Sequence, residues 1–154
     1  MTGGGFMWNA KKSIMLSLVA TIILAIIFVA LIFTAPAFLK WCFKFLDNNI
    51  KFYNVLIKTF YACCIPAACT LASIIKLLVN LKRDKVFVWQ NVTLLRVLSW
   101  CCFAVVPITF AAGFYFFSLY FISVAAAFVA LILRVLKNVM AAATQIKMEN
   151  ELTI

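Results

Sequence analysis

Histidine is absent from this chain, and acidic side chains are scarce: Asp47, Asp84, Glu149 and Glu151 are the whole supply. All four lie outside the long apolar stretches. No serine or cysteine has an identifiable base beside it, so neither acid–base nor nucleophilic catalysis has its residues, and an enzyme is not expected. The six cysteines (Cys42, Cys63, Cys64, Cys69, Cys101 and Cys102) form no CxxC and no paired spacing of the kind a zinc site or redox couple needs. No metal or cofactor is expected. Most of these thiols fall within apolar runs, where a free cysteine behaves as a small hydrophobe. Cys101 and Cys102, in the first half of a span, leave acylation or oxidation open.

Charge as a whole is also sparse, at 12% of residues, whereas 68% are hydrophobic and the mean hydropathy is +1.15. A soluble globule of 154 residues has too much surface to hide that much apolar material. A bilayer removes the difficulty. The formal charge of +10 raises the question of nucleic acid, but the cations sit in short clusters between uncharged runs, and no basic helix or aromatic–basic motif lies outside the apolar segments. Direct binding to nucleic acid is not expected. That distribution suits attraction to anionic lipid head groups and the setting of membrane topology.

Charge-free runs mark the spans. Ser13 to Leu39 is 27 residues bounded by Lys11-Lys12 and Lys40, enough to cross a hydrocarbon layer of ~30 Å with tilt to spare. A secretory signal ending at Ala35-Pro36-Ala37 would need a core about half as long. Residues 40–54 interleave lysines with Trp41, Phe43, Phe45, Phe52 and Tyr53, as in an interfacial segment, with Asn48-Asn49 as its break. The second span covers 55–80, its middle kinked by Pro66, with Thr70 or Ser73 available to nearby carbonyls. Val97 to Leu133 is 37 uncharged residues, too many for one span. The third helix must therefore start near Trp89 and the fourth run past Arg134 and Lys137, giving spans 89–112 and 117–143 around a turn near Gly113 to Ser118. Pro107 adds a second kink. The expected fold is an all-α integral membrane four-helix bundle in a single domain, 1–154, with a tail at 144–154.

Four spans place both termini on one side. That side carries Lys11, Lys12, Lys76, Lys82, Arg83, Lys85, Arg96, Arg134, Lys137 and Lys147, against Lys40, Lys44, Lys51 and Lys58 on the other. The excess predicts cytoplasmic termini, an N-in/C-in protein of the bacterial plasma membrane.

Two stretches resemble a known family. Phe87, then Asn91-Val92, then Leu95-Arg96 is similar to an F-[S/T]-x-x-N-V-x-x-L-R motif at the start of a third span. The ending Glu149-Asn150-Glu151-Leu152-Thr153-Ile154 resembles an acidic-Asn-acidic-Leu-Thr-Ile terminus. Both patterns are those of the bacterial four-span membrane proteins grouped as DUF2975, with YoaS-like members. The sequence departs from them at Val88, where the family often has Ser or Thr able to cap the third helix; Asp84 or water is left to do so. The family's activity is undefined. The resemblance implies a genetic association with a small helix-turn-helix regulator, and hence a membrane partner or antagonist of that regulator.

Two functional readings follow. In the first, the loop and tail hold a soluble cytoplasmic transcription regulator, with Lys82, Arg83, Lys85, Phe87, Asn91, Arg96, Glu149, Asn150, Glu151 and Leu152 as candidate partner-binding residues. In the second, a homo-oligomer forms a small transporter or permeability factor for hydrophobic or amphipathic solutes. The spans hold no central ionisable group, and Thr21, Thr70, Ser73 and Thr109 are their mid-span polar residues. A simpler role for the tail is to fold back, with Glu149 and Glu151 facing Lys82, Arg83 or Lys85.

Overall fold

The computed structural model describes the backbone of residues 4–45 and 50–153 and the side chains of residues 12–42 and 52–153. Asn48-Asn49 and Asp47 lie outside the described residues. Four helices account for the fold: α1 (Gly4–Phe45), α2 (Ile50–Lys82), α3 (Trp89–Gly113) and α4 (Ser118–Leu152). Each contains a segment long and apolar enough to cross a membrane: Lys12–Cys42, Phe52–Lys82, Trp89–Gly113 and Ser118–Leu152. The protein is an all-α, four-helix membrane bundle. Residues 40–45 and 50–54 do not form a separate surface helix. They continue α1 and begin α2, because a helix leaving hydrocarbon keeps its backbone bonds when it extends into the head groups.

Each of the first three helices contains one proline, at Pro36, Pro66 and Pro107. A helical proline has no N–H to give and leaves the carbonyl four residues earlier without its usual donor. For Pro36 that carbonyl belongs to Ile32, and the hydroxyl of Tyr61 on α2 donates to it at 3.3 Å. The gap in one helix thus becomes a bond between two. After Pro66, Thr70 donates to the carbonyl of Pro66 itself at 2.8 Å and Ser73 to that of Cys69 at 2.8 Å. Near Pro107, Thr109 bonds the carbonyls of Val105 and Val106, and Ser123 of α4 also donates to Val106 at 3.1 Å.

Helices pack in chain order, α1 on α2, α2 on α3 and α3 on α4. The buried residues of α3 explain its inner place. Asn91, Leu95 and Leu98 are separated by steps of four and three, Thr109 and Ala112 fall on the same face beginning eleven residues further on, and Val92, Ser99 and Gly113 form a second stripe at multiples of seven. On α4 the buried residues Ser123, Ala130 and Thr144 also repeat at multiples of seven. Small side chains at this period let two helices approach closely at a shallow left-handed crossing. Ser99 uses that closeness to donate to the carbonyl of Ala130 at 3.0 Å. At the α3–α4 turn a methyl group on Gly113 would lie 2.9 Å from the ring of Tyr120. By contrast α1 buries only Ala35 among its described residues, and Leu16, Ile26 and Phe33 are exposed. Those are surfaces for lipid.

Candidate interaction face

The end of the bundle that carries the α2–α3 connection and the α4 terminus gathers the candidate residues. Its first element is the stop of α2. Asp84 adopts a left-handed backbone, φ 57; its N–H bonds the carbonyl of Leu81, and the N–H of Lys85 bonds that of Asn80, both at 3.1 Å. This is the Schellman pattern, with Asp84 where glycine is commonest and a short polar side chain is tolerated. It turns the chain sharply and leaves Lys82, Arg83 and Lys85 exposed.

The second element is Asn91, which is completely buried. Its amide nitrogen donates to the carbonyls of Lys85 at 2.8 Å and Val86 at 2.7 Å, and its amide oxygen accepts from the side-chain nitrogen of Asn80 at 2.9 Å. Only an amide nitrogen can face two carbonyls, so this arrangement fixes the orientation of the side chain. One residue of α3 thereby ties down the connecting loop and the last turn of α2. The N-cap, Val88, is extended (φ −132, ψ 145) and makes no side-chain cap bond. Its carbonyl still accepts from the N–H of Asn91 at 3.0 Å. Around this anchor Val92 and Leu95 are buried, whereas Phe87 and Arg96 are exposed.

The third element is the far end of α4, which stays helical through Leu152. Measured from Lys137 at ~1.5 Å per residue, that stretch projects about 22 Å. It is joined to α3 where the indole N–H of Trp89 donates to the sulfur of Met148 at 3.2 Å. The expected fold-back of the carboxylates onto Lys82, Arg83 or Lys85 does not occur. Glu149 instead accepts from Gln145 at 3.1 Å, and Glu151 pairs with Lys147 at 3.6 Å. A continuous helix puts residues four apart on one face, so local partners are nearer than the loop. Glu149, Asn150 and Glu151 are exposed, and the side chain of Leu152 is 85% accessible.

Of the ten candidates, then, nine are presented at the surface and Asn91 is internal. Sequence reasoning missed Asn80, Trp89 and Met148, which hold the face together. It also missed that Arg96 shares a pocket with Arg134 and Lys137. A depth count would have found the last of these, because Arg96 and Arg134 stand about equally far from the α3–α4 turn. A second cavity, of about 560 Å³, lies between the ends of α2 and α3 and is lined mainly by Ile75, Val79, Trp89 and Leu94, with Lys76 and Asn80 at its polar edge. Among the described residues no group of His, Cys, Asp or Glu could hold a metal. The six cysteines are unpaired thiols.

Neither the curated proteins nor the solved structures compared with the chain include a match. The family model described as a protein of unknown function, DUF2975, matches residues 36–154, a range that takes in the motif at Phe87 to Arg96 and the acidic ending. With three of the four spans, and the end of the first, inside that match, the chain belongs to the DUF2975 family.

Proposed function

We propose that this protein is a membrane-held interaction partner of a soluble helix-turn-helix regulator, of the kind the family resemblance implies, and that it contacts that regulator through the exposed loop and α4 terminus. In this reading the protein lies in a bacterial plasma membrane with both termini in the cytoplasm, the side to which most of its lysines and arginines fall.

The observation that carries the reading is the projecting end of α4. A helix that has already crossed the membrane needs no further length to span. Here it continues to Leu152, is buttressed by Trp89, and ends in two carboxylates, an asparagine and a bare leucine. Lys82, Arg83, Lys85 and Phe87 stand exposed at the same end. The face therefore offers opposite charges and two apolar points on a rigid support, a combination suited to a protein surface. The mid-span hydroxyls of Thr21, Thr70, Ser73 and Thr109 all donate to carbonyls of their own helices. That use favours packing over a path for solutes.

Photocrosslinking from position 150 in native membranes tests the proposal, read together with expression of neighbouring genes. Wild-type protein should capture a helix-turn-helix protein, and the combined change Glu149→Lys, Glu151→Lys, Leu152→Ala should reduce capture about tenfold and alter that expression. Recovery of no soluble partner, with expression unchanged in the triple variant, would sink it.

A further inference from the structure

Arg96 on α3 and Arg134 and Lys137 on α4 line one small pocket together with Ser99 and Trp100. Among the described residues no carboxylate lines it. Three like charges from two helices are thus brought to one concavity without a protein counter-ion, an arrangement that is unfavourable unless an anion or water occupies it. Ser99 does not offer a proton there, because its hydroxyl is committed to the carbonyl of Ala130. The charged donors are the two guanidinium groups and the ammonium. Arg134 is also held in place: its guanidinium carbon lies 5.9 Å from the ring centres of both Trp100 and Phe103.

The depth of the pocket narrows the ligand. Counting ~1.5 Å per residue from the α3–α4 turn, Arg96 and Arg134 stand about 25 Å along their helices and Lys137 about 28 Å. A hydrocarbon layer is ~30 Å thick. The cations therefore lie at its far boundary, within side-chain reach of the layer of lipid phosphates. The cavity is about 140 Å³; at ~30 Å³ per water it holds the equivalent of four or five waters, enough for a tetrahedral phosphate group but not for a whole lipid. Trp100, at its wall and exposed on its other side, offers an interfacial ring to an adjoining acyl chain.

We propose that Arg96, Arg134 and Lys137 bind the phosphate group of an anionic phospholipid, clamping its head group across α3 and α4. Guanidinium groups match phosphate oxygens in pairs and lysine adds a mobile third donor. Basic pockets between membrane helices are a general setting for such head groups. The site is separate from the loop and from the α4 terminus, so it stands or falls independently of the regulator.

The test uses the full chain purified in a neutral detergent, with phosphatidylglycerol, phosphatidylcholine and inorganic phosphate added separately, and with retained ligand and melting temperature as readouts. Phosphatidylglycerol should be retained and should raise the melting temperature; phosphatidylcholine and inorganic phosphate at the same concentration should do neither. Arg96→Gln and Lys137→Gln should each weaken retention about tenfold, and Arg134→Lys should weaken it less than Arg134→Gln. The cation–ring contacts at this pocket belong to Arg134, so the Lys137 variant reports on binding even if changing Arg134 loosens the helix pair. The double change Lys40→Gln, Lys58→Gln removes two charges at the other end of the bundle, against one in each glutamine variant of the pocket, and should leave retention unchanged. Equal loss in that control would overturn the site in favour of general attraction. A response to inorganic phosphate matching that to lipid would overturn the assignment to a membrane source.

Discussion

Replacing Asn91 tests most directly how the loop face is held. Asn91→Ala removes three hydrogen bonds at once, to the carbonyls of Lys85 and Val86 and from the amide of Asn80. A neutral hydrogen bond contributes a net ~0.5–1.5 kcal/mol, and a buried group left unmade costs ~1–3 kcal/mol. Lys85 is exposed, so water can replace part of the loss at the loop carbonyls, and the expected destabilisation is about 2–3 kcal/mol. Asn91→Asp separates hydrogen bonding from shape. The aspartate is nearly isosteric and still accepts from Asn80, but it turns an acceptor toward two carbonyls and brings a charge into a fully buried position. It should be worse than alanine by about 1 kcal/mol or more. Asn80→Ala, which removes one bond, should cost about 1 kcal/mol, and it should cost much less when Asn91 is already alanine. Unfolding in mixed micelles of rising sodium dodecyl sulfate content, followed by tryptophan fluorescence, gives all four values. If Asn91→Ala falls within 0.5 kcal/mol of wild type, or the aspartate variant is the more stable of the two, the anchor described here is not what holds the loop.

Two further substitutions check the packing of the spans by the same assay. Tyr61→Phe should cost ~0.5–1 kcal/mol by leaving the Ile32 carbonyl unpartnered, and the loss should vanish in a Pro36→Ala background, where a restored backbone N–H takes over; an undiminished loss there would refute the link between the proline and the hydroxyl. Gly113→Ala sets a helix-propensity gain of ~1 kcal/mol against overpacking of ~1–3 kcal/mol. Because the Tyr120 ring is hemmed in by Phe110 at 5.2 Å and Phe117 at 6.0 Å, overpacking should win, and a stabilised variant would show that the turn can shift.

The spans were legible because hydropathy and charge report directly on what can enter hydrocarbon. Their ends were not, since lysines such as Lys40 and the polar residues after Thr144 can continue a helix in the head-group layer or in water at little cost. The extensions past Arg96 and Arg134 followed from the length of the uncharged run, and the turn at Gly113 from that length together with the backbone freedom of glycine and the tyrosines beside it. Cross-helix bonds were a different matter. Nothing near Tyr61 in the sequence announces that its partner carbonyl was freed by a proline on another helix, and Asn91 read as a candidate partner-binding residue because its burial is created by the end of α2 and the connecting loop. The tail misled for a physical reason too: proximity on one side of a membrane suggested pairing with the loop, but a continuous helix supplied Gln145 and Lys147 at shorter range.

These placements divide the motif that carried the family resemblance. Its middle, Asn91, Val92 and Leu95, is the buried face of α3 and the anchor of the loop. Those residue types are required by the fold whatever the protein binds. Its two ends are exposed and are not explained that way. Phe87 stands exposed on the α2–α3 loop, and Arg96 opens onto the basic pocket. If both proposals hold, the two ends serve different partners: replacing Phe87 should weaken capture of the regulator without affecting lipid retention, and replacing Arg96 should do the reverse. The rigid buried segment between them, Asn91 to Leu95, holds the two ends apart, so that each variant reports on one site alone.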